Sequence, residues 1–271
     1  MVHAARLLCI VLLTFAGPAA LDAALDAALD AALAAEVTRD AVERELAAAR
    51  AEDRNADFAG QVLAGLDLSG LDLSGADFSQ SDLSGADLSD CDLRRAKLAR
   101  ARLVDADLSG ARLNLAWIMG ADFSGANLSG AVLETLVVSQ SMEIRPDEAV
   151  RLTGANLSGA RVTARFHFAD LRGTDLSNLH ASADMRNQSM GLIRTEFASA
   201  DLTGANLANA ELGRVDFKFA KLRDAKLTGA DLTHADLAGA DLTGADLTGA
   251  ILTGAVFDGA VLTDVRGLPP R

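Results

Sequence analysis

The side chains in this 271-residue chain with the means to do acid–base or metal chemistry are mostly aspartates, and they recur at intervals of five residues. Asp67, Asp72, Asp77, Asp82 and Asp87 form one such series; Asp231, Asp236, Asp241 and Asp246 form another. Paired carboxylates could serve glycoside hydrolysis or hold a hard cation. Each of these acids belongs to a repeat, however, and no unit departs from its neighbours as a catalytic site would. Cys9 and Cys91 are the only cysteines, too few for a disulfide framework or a Cys-rich zinc site. Cys91 stands where the repeat otherwise has a small Ala, which suits a packed, inert thiol. The four histidines are scattered: His167 lies between Phe166 and Phe168 and is read as structural, and His234 is read as solvated at a corner. There is no phosphate loop, HExxH or nucleophile elbow. The expectation is a non-enzyme with no catalytic, cofactor-binding or metal-ligating residue.

Composition narrows the partners. Lys and Arg number 25 against 38 Asp and Glu, a net charge of −13, which argues against direct binding of nucleic acid or anionic lipid. The chain is 50% hydrophobic but only 4% aromatic, so its core must be built from Leu and Ala and be thin or repetitive.

The N-terminus has its own grammar. Arg6 precedes an uncharged stretch, Leu7 to Ala16, followed by Gly17-Pro18-Ala19-Ala20. That order reads as a signal peptide over 1–20, with an apolar run shorter than the roughly 20 residues a bilayer span needs. It predicts a secreted or periplasmic protein with no transmembrane segment after cleavage; a misassigned start codon would instead leave a cytoplasmic one. Leu21, Leu25, Leu29 and Leu33 then recur in Leu-Asp-Ala-Ala tetrads, which with alanine's propensity predicts an Ala/Leu-rich helical segment within 21–55. Its amphipathic part, 38–53, is expected to cap the domain that begins at residue 56.

From residue 56 a strict period of five takes over. Phe58, Leu63, Leu68, Leu73, Phe78, Leu83 and Leu88 share one register, as do Phe197, Leu202, Leu207, Phe217, Leu242, Leu247 and Phe257 later on. The unit reads Ala-Asp/Asn-Leu-Ser/Thr-Gly, as in Ala240 to Gly244. Period five fits neither regular element. On an α-helix each step rotates the leucine by about 140°, and on a strand an odd step sends it to the other face. The leucines can share one interior only if the chain bends once per unit, and Gly just after each leucine suits such corners. Phe58 and Phe78 are twenty residues apart, as are Phe197 and Phe217, which points to four units per coil.

This unit resembles the pentapeptide-repeat family, and the resemblance covers 56–265. It implies an all-β solenoid, a right-handed four-sided parallel β-helix, which the N-terminal α-helical segment read from the tetrads would precede. The central Leu/Phe and the preceding Ala would point inward, and about 38 units would stack to a length on the order of 45 Å. The first part would run over 56–138 and the second over 152–265, irregular at 163–191. A tail at 266–271, with Pro269-Pro270, would finish the last coil.

Two stretches, 139–151 and 177–191, break the register. With Met142, Ile144, Met185 and Met190 they are candidate contact sites for an unknown protein partner, or else tolerated insertions. Trp117 occupies an outward Asp slot and is either an exposed contact residue or a local packing variation. Basic residues gather at Arg94, Arg95, Lys97, Arg100, Arg102 and Arg112, and again from Arg214 to Lys226. The expected function is an exported interaction or structural module, and a homodimer stays open. One alternative comes from family members that imitate DNA and bind type II topoisomerases. A charge of −13 over ~45 Å is about half as dense as the one per ~1.7 Å of duplex DNA. An enzyme with a site on the irregular loops is the remaining alternative.

Overall fold

The computed structural model describes residues 37–134, 145–183 and 194–268. The chain divides into two compact units, Met1–Thr38 and Arg39–Arg271. The signal-peptide and tetrad readings over 1–36, the tail residues Pro269 and Pro270, and Met142, Ile144, Met185 and Met190 all lie outside the described residues. The coil belongs to the second unit.

Each five-residue stretch of that coil makes one straight side and one corner. On the side, the central residue donates to the coil above and the residue before it donates to the coil below: Leu83 N–H bonds Arg102 O at 2.7 Å, and Asp82 N–H bonds Gln61 O at 2.9 Å. At the corner the chain closes a tight turn, as where Ala86 N–H returns to Leu83 O at 3.1 Å. The residue two after each leucine carries a positive φ, such as +64° at Gly85, where a glycine costs nothing. Parallel bridges join residues twenty apart, Asp57 to Asp77 to Lys97 to Trp117 on one side and Asp67 to Asp87 to Asp107 on another. Twenty residues per coil and five per side give four sides.

Extended sheet is sparser than an all-β reading suggests. Nearly every side contributes one isolated bridge. Among the described residues only β1 (Val132–Glu134) and β2 (Arg161–Thr163) lengthen into paired strands, parallel to each other. The reason is geometric: with a corner every five residues, only two or three can be extended.

The interior is filled as the period requires. Phe58, Leu63, Leu68, Leu73, Phe78, Leu83, Leu88, Phe197, Leu202, Leu207, Phe217, Leu242 and Leu247 are all buried. Phe58 stacks on Phe78 at 5.1 Å, and Phe166, Phe197 and Phe217 form a second column. Phe257 is the exception: it is only half-buried, because with Leu252 and Leu262 it lines the last coil, which no described residue covers. The expectation that 266–271 finishes this coil rests in part on 269–271, which lie outside the described residues. Arg266 closes one bridge to Asp246, and Val265 to Leu268 stay half-buried or exposed.

The opposite end is closed. Helix α1 (Arg39–Ala51) buries Val42, Leu46 and Ala49, and the first-coil residues beside it are buried too. Its placement is fixed by charge at both ends: Arg39 Nη1 donates to Asp67 Oδ1 at 2.9 Å, and Arg50 Nη2 reaches Asp72 Oδ2 at 3.1 Å.

The interruptions fall at one corner. Bridge separation widens to 29 residues at Asp122↔Arg151, narrows to 19 at Arg151↔Asp170, and widens to 31 at Asp170↔Asp201. All three changes arise where the side bearing Asp92 and Arg112 turns into the side bearing Lys97 and Trp117. There the described residues pause after Glu134 and after Ala183, and there Val162 and Phe166 are one residue closer than elsewhere. Residues 135–138 of the expected first part lie outside the described residues. Within the expected break at 177–191, Ser177 and His180 remain in the ladder, Ser177 O accepting from Gly159 N–H and His180 bridging Glu211. The described part of the first interruption contains a 3₁₀ turn, Pro146–Glu148, whose Glu148 O accepts from Gly120 N–H at 2.8 Å.

Candidate functional site

The aspartates prove to be corner builders. Asp67 Oδ1 accepts from the Ser69 N–H at 3.0 Å and from its hydroxyl at 2.7 Å. Asp82 with Ser84, Asp122 with Ser124, Asp201 with Thr203 and Asp241 with Thr243 repeat the pattern. A short carboxylate that bonds the backbone two residues on is the Asx turn, so the Asp-Leu-Ser/Thr spacing is a folding device. The hydrogen bond from the Ser84 side chain holds the Asp82 carboxyl below the ordinary carboxylate range. The pattern was visible in the repeat, but its meaning needed the corner geometry.

Basic residues pair with these acids both within a coil and between coils. Arg94 Nη2 and Arg112 Nη2 both reach Asp92 Oδ2 at 2.7 Å; Arg151 reaches Asp122 at 2.6 Å and Lys221 reaches Asp201 at 3.1 Å. The Arg94 hydrogen bond, opposed by burial and reinforced by Arg112, lowers the Asp92 pKa. Farther along, His167 Nε2 lies 2.8 Å from Glu196 Oε2, with Arg165 at 3.4 Å; that His167 hydrogen bond is the main cause of a lowered Glu196 pKa. Among the described residues no three His, Cys, Asp or Glu are placed to hold a metal ion.

Residues in the small inward slot are satisfied locally. Cys91 is fully buried, its Sγ donates to Leu68 O at 3.0 Å, and burial pushes its thiol up to about 11. Ser81, Thr174 and Thr195 sit in equivalent slots and donate to Phe78 O, Leu152 O and Val162 O.

What the surface offers instead is apolar groups in polar positions. Trp117, 40% exposed, stands on the side it shares with Lys97. Leu115, Phe168 and Phe219 are exposed at corners with φ of +62°, +60° and +56°, a region bulky L-residues rarely adopt. Phe168 and Phe219 occupy the same corner two coils apart, and the Phe219 ring lies where a Cβ on Gly239 would fall. Sequence reading singled out Trp117 and missed these three. The signal was a large apolar residue in the slot that otherwise holds Gly or a polar residue.

A four-sided parallel solenoid whose outward acids fold its corners defines a class of repeat protein. Pentapeptide repeats, matched in eight copies over residues 54–80, 76–114, 86–134, 195–233 and 225–264, place the chain within the pentapeptide-repeat family, to which it belongs. Membership implies the right-handed quadrilateral β-helix. Among solved structures it is similar to HetL, a pentapeptide repeat protein involved in heterocyst differentiation regulation from Nostoc sp. strain PCC 7120. The two share 27% identity at a TM-score of 0.50, over 85% of this chain and 97% of that one. QnrB1, a plasmid-mediated fluoroquinolone resistance protein, matches at 19% identity and a TM-score of 0.34, over 76% and 86% of the two chains. A thylakoid-lumen pentapeptide repeat protein of Arabidopsis thaliana matches at 29% and 0.17, over 46% and 67%. A search of curated proteins returns no match.

Proposed function

We propose that the chain is a non-catalytic scaffold that works outside the cytoplasm as a protein-interaction or structural module. The observation that carries this reading is the set of exposed apolar side chains, Trp117, Phe168 and Phe219, mounted on a rigid ladder where the repeat otherwise places glycine or a polar residue. Desolvated aromatics are the common anchors of protein interfaces. The repeat's aspartates such as Asp82, Asp122 and Asp201, by contrast, are engaged in folding corners and tying coils together. Self-association belongs to the same reading: Ile251, Val256 and Val261 are exposed beside the half-buried Leu252, Phe257 and Leu262, which supports contact with a second copy there.

The topoisomerase alternative asks for a continuous anionic face. Lys97–Asp77, Arg112–Asp92, Arg151–Asp122 and Lys221–Asp201 pairs interrupt it on several sides, which favours the scaffold. Two assays separate the readings. Purified protein should leave DNA gyrase supercoiling unchanged, whereas inhibition supports the DNA mimic. Cross-linking in the exported fraction should give an adduct that is lost when Phe168 and Phe219 are both replaced by Asn. An adduct indifferent to that change contradicts the scaffold reading. The export proposal rests on the Arg6 to Ala20 pattern and is tested by N-terminal sequencing of the mature protein.

A further inference from the structure

Departures from the repeat gather at one place. At the corner leaving the side of Asp92 and Arg112, successive coils carry Gly75, Arg95 and Leu115, with φ of +71°, +61° and +62°. Beside that corner runs an open groove of about 760 Å³, lined by Arg94, Arg95, Arg112 and Asn114 together with Leu115 and Val132. Its lining includes three guanidinium groups; one carboxylate beside it, Glu134, accepts from the lining Asn114 at 3.2 Å and is paired with Arg161 at 3.2 Å. Arg94 and Arg112 share the single carboxylate of Asp92, which is itself nearly buried. Arg95 is exposed, and its guanidinium makes no ion pair or hydrogen bond among the described residues. The groove therefore keeps a surplus of positive charge on a protein whose net charge is −13. Its upper part is apolar: Leu115 holds a strained corner 42% exposed, and Val132 fills a slot that holds Asp or Arg in the coils below.

We propose that this groove binds an extended acidic segment of a partner protein, carboxylates toward the arginines and an apolar side chain against Leu115 and Val132. The inference rests on the interaction-module reading and names the partner's chemistry. The groove spans about four coils, or roughly 15–20 Å, the length of about five or six extended residues. Planar guanidiniums suit carboxylates, and the Leu115–Val132 surface favours a peptide over a purely anionic polymer. A residue at positive φ with no gain to the fold is the kind of outlier that points to function.

The test uses fluorescence anisotropy with a fluorescein-labelled, end-capped peptide, Glu-Asp-Glu-Leu-Val-Gly, and a single-stranded DNA hexamer beside it. The peptide should bind, and more weakly as salt rises from 50 to 500 mM, in line with screening of exposed charges over about 10 Å at 0.1 M. Arg95→Gly should weaken binding by about fivefold or more, in keeping with the loss of one charge-assisted contact. It should leave thermal stability unchanged or raised, since glycine is at ease at that φ. Arg214→Gly, at the equivalent corner near the other end, should bind like the parent. Failure of the peptide to bind, equal binding by Arg95→Gly, or preference for the DNA each overturns the proposal. If the peptide fails while the cross-link through Phe168 and Phe219 persists, the groove assignment falls and the interaction module stands. Loss of both overturns the two together.

Discussion

The Phe197 and Phe217 rings, twenty residues apart in the chain, lie 5.3 Å apart and within 13° of parallel. That contact is the five-residue period made visible: four corners return the same side chain to the same place one coil higher. Phe166 continues the column at 5.5 Å although its number differs from that of Phe197 by 31 rather than 20, so the stack holds across the change of register.

Phe217→Ala should therefore be severe. The ring is fully buried and stacked, and truncating a buried Phe costs about 3–5 kcal/mol. Chemical denaturation should show the midpoint falling with the fold retained. A loss under ~1 kcal/mol, the usual size of a surface effect, would mean the column is not packed as described.

Corner residues give the opposite sign. Phe219 holds a φ of +56° with little compensating burial, and an L-residue in that region is strained by roughly 1–2 kcal/mol. Phe219→Asn should raise the thermal midpoint, because Asn tolerates the conformation. A lower midpoint would show that the exposed ring contributes more to the fold than its surroundings indicate.

Stability should depend on pH with a definite sign. Asp82, Asp92 and Glu196 have folded-state pKa values below their ordinary ones, owing chiefly to Ser84, Arg94 and His167 respectively. Groups shifted down stabilise the fold above their unfolded pKa, near 4, and lose that contribution as pH falls through the folded values. The thermal midpoint should be flat above about pH 5 and drop on acidification below about 4. Asp92→Asn should lower the plateau and shrink the acid drop; an unchanged profile would remove Asp92 from the account.

The two cysteines report on both packing and export. Cys91, buried with its thiol pushed up to about 11, should resist a thiol reagent at pH 8 until the protein unfolds. Unfolded mature protein should then titrate one thiol if Cys9 has left with a signal peptide, and two if it has not. Two thiols would contradict the export proposal.

How much of this the chain declares in advance depends on which interactions are local. The leucine period needs only five consecutive residues to read, so the interior and the corners were legible, Cys91 in its Ala slot included. The Asx bonds were written in every Asp-Leu-Ser but acquire meaning only once the corner is known. Pairs such as Arg151 with Asp122 depend on a separation of 29 rather than 20, which sequence cannot supply across an interruption. The same holds for the groove: Arg95 and Leu115 become neighbours only through the coil, and a period that hides Asp among Asp also hides Leu among Gly.

The most direct test of the coil itself is a distance. Asp107 and Asp246 sit on one side, joined by six successive bridges through Asn127, Asn156, Asp175, Asn206 and Lys226. Spin labels at Asp107→Cys and Asp246→Cys, in a mature protein carrying Cys91→Ala, should give a narrow double electron–electron resonance distribution centred near ~29 Å at ~4.8 Å per coil. A broad distribution, or a centre beyond about 40 Å against that same spacing, would contradict a chain that turns one quarter for every five residues.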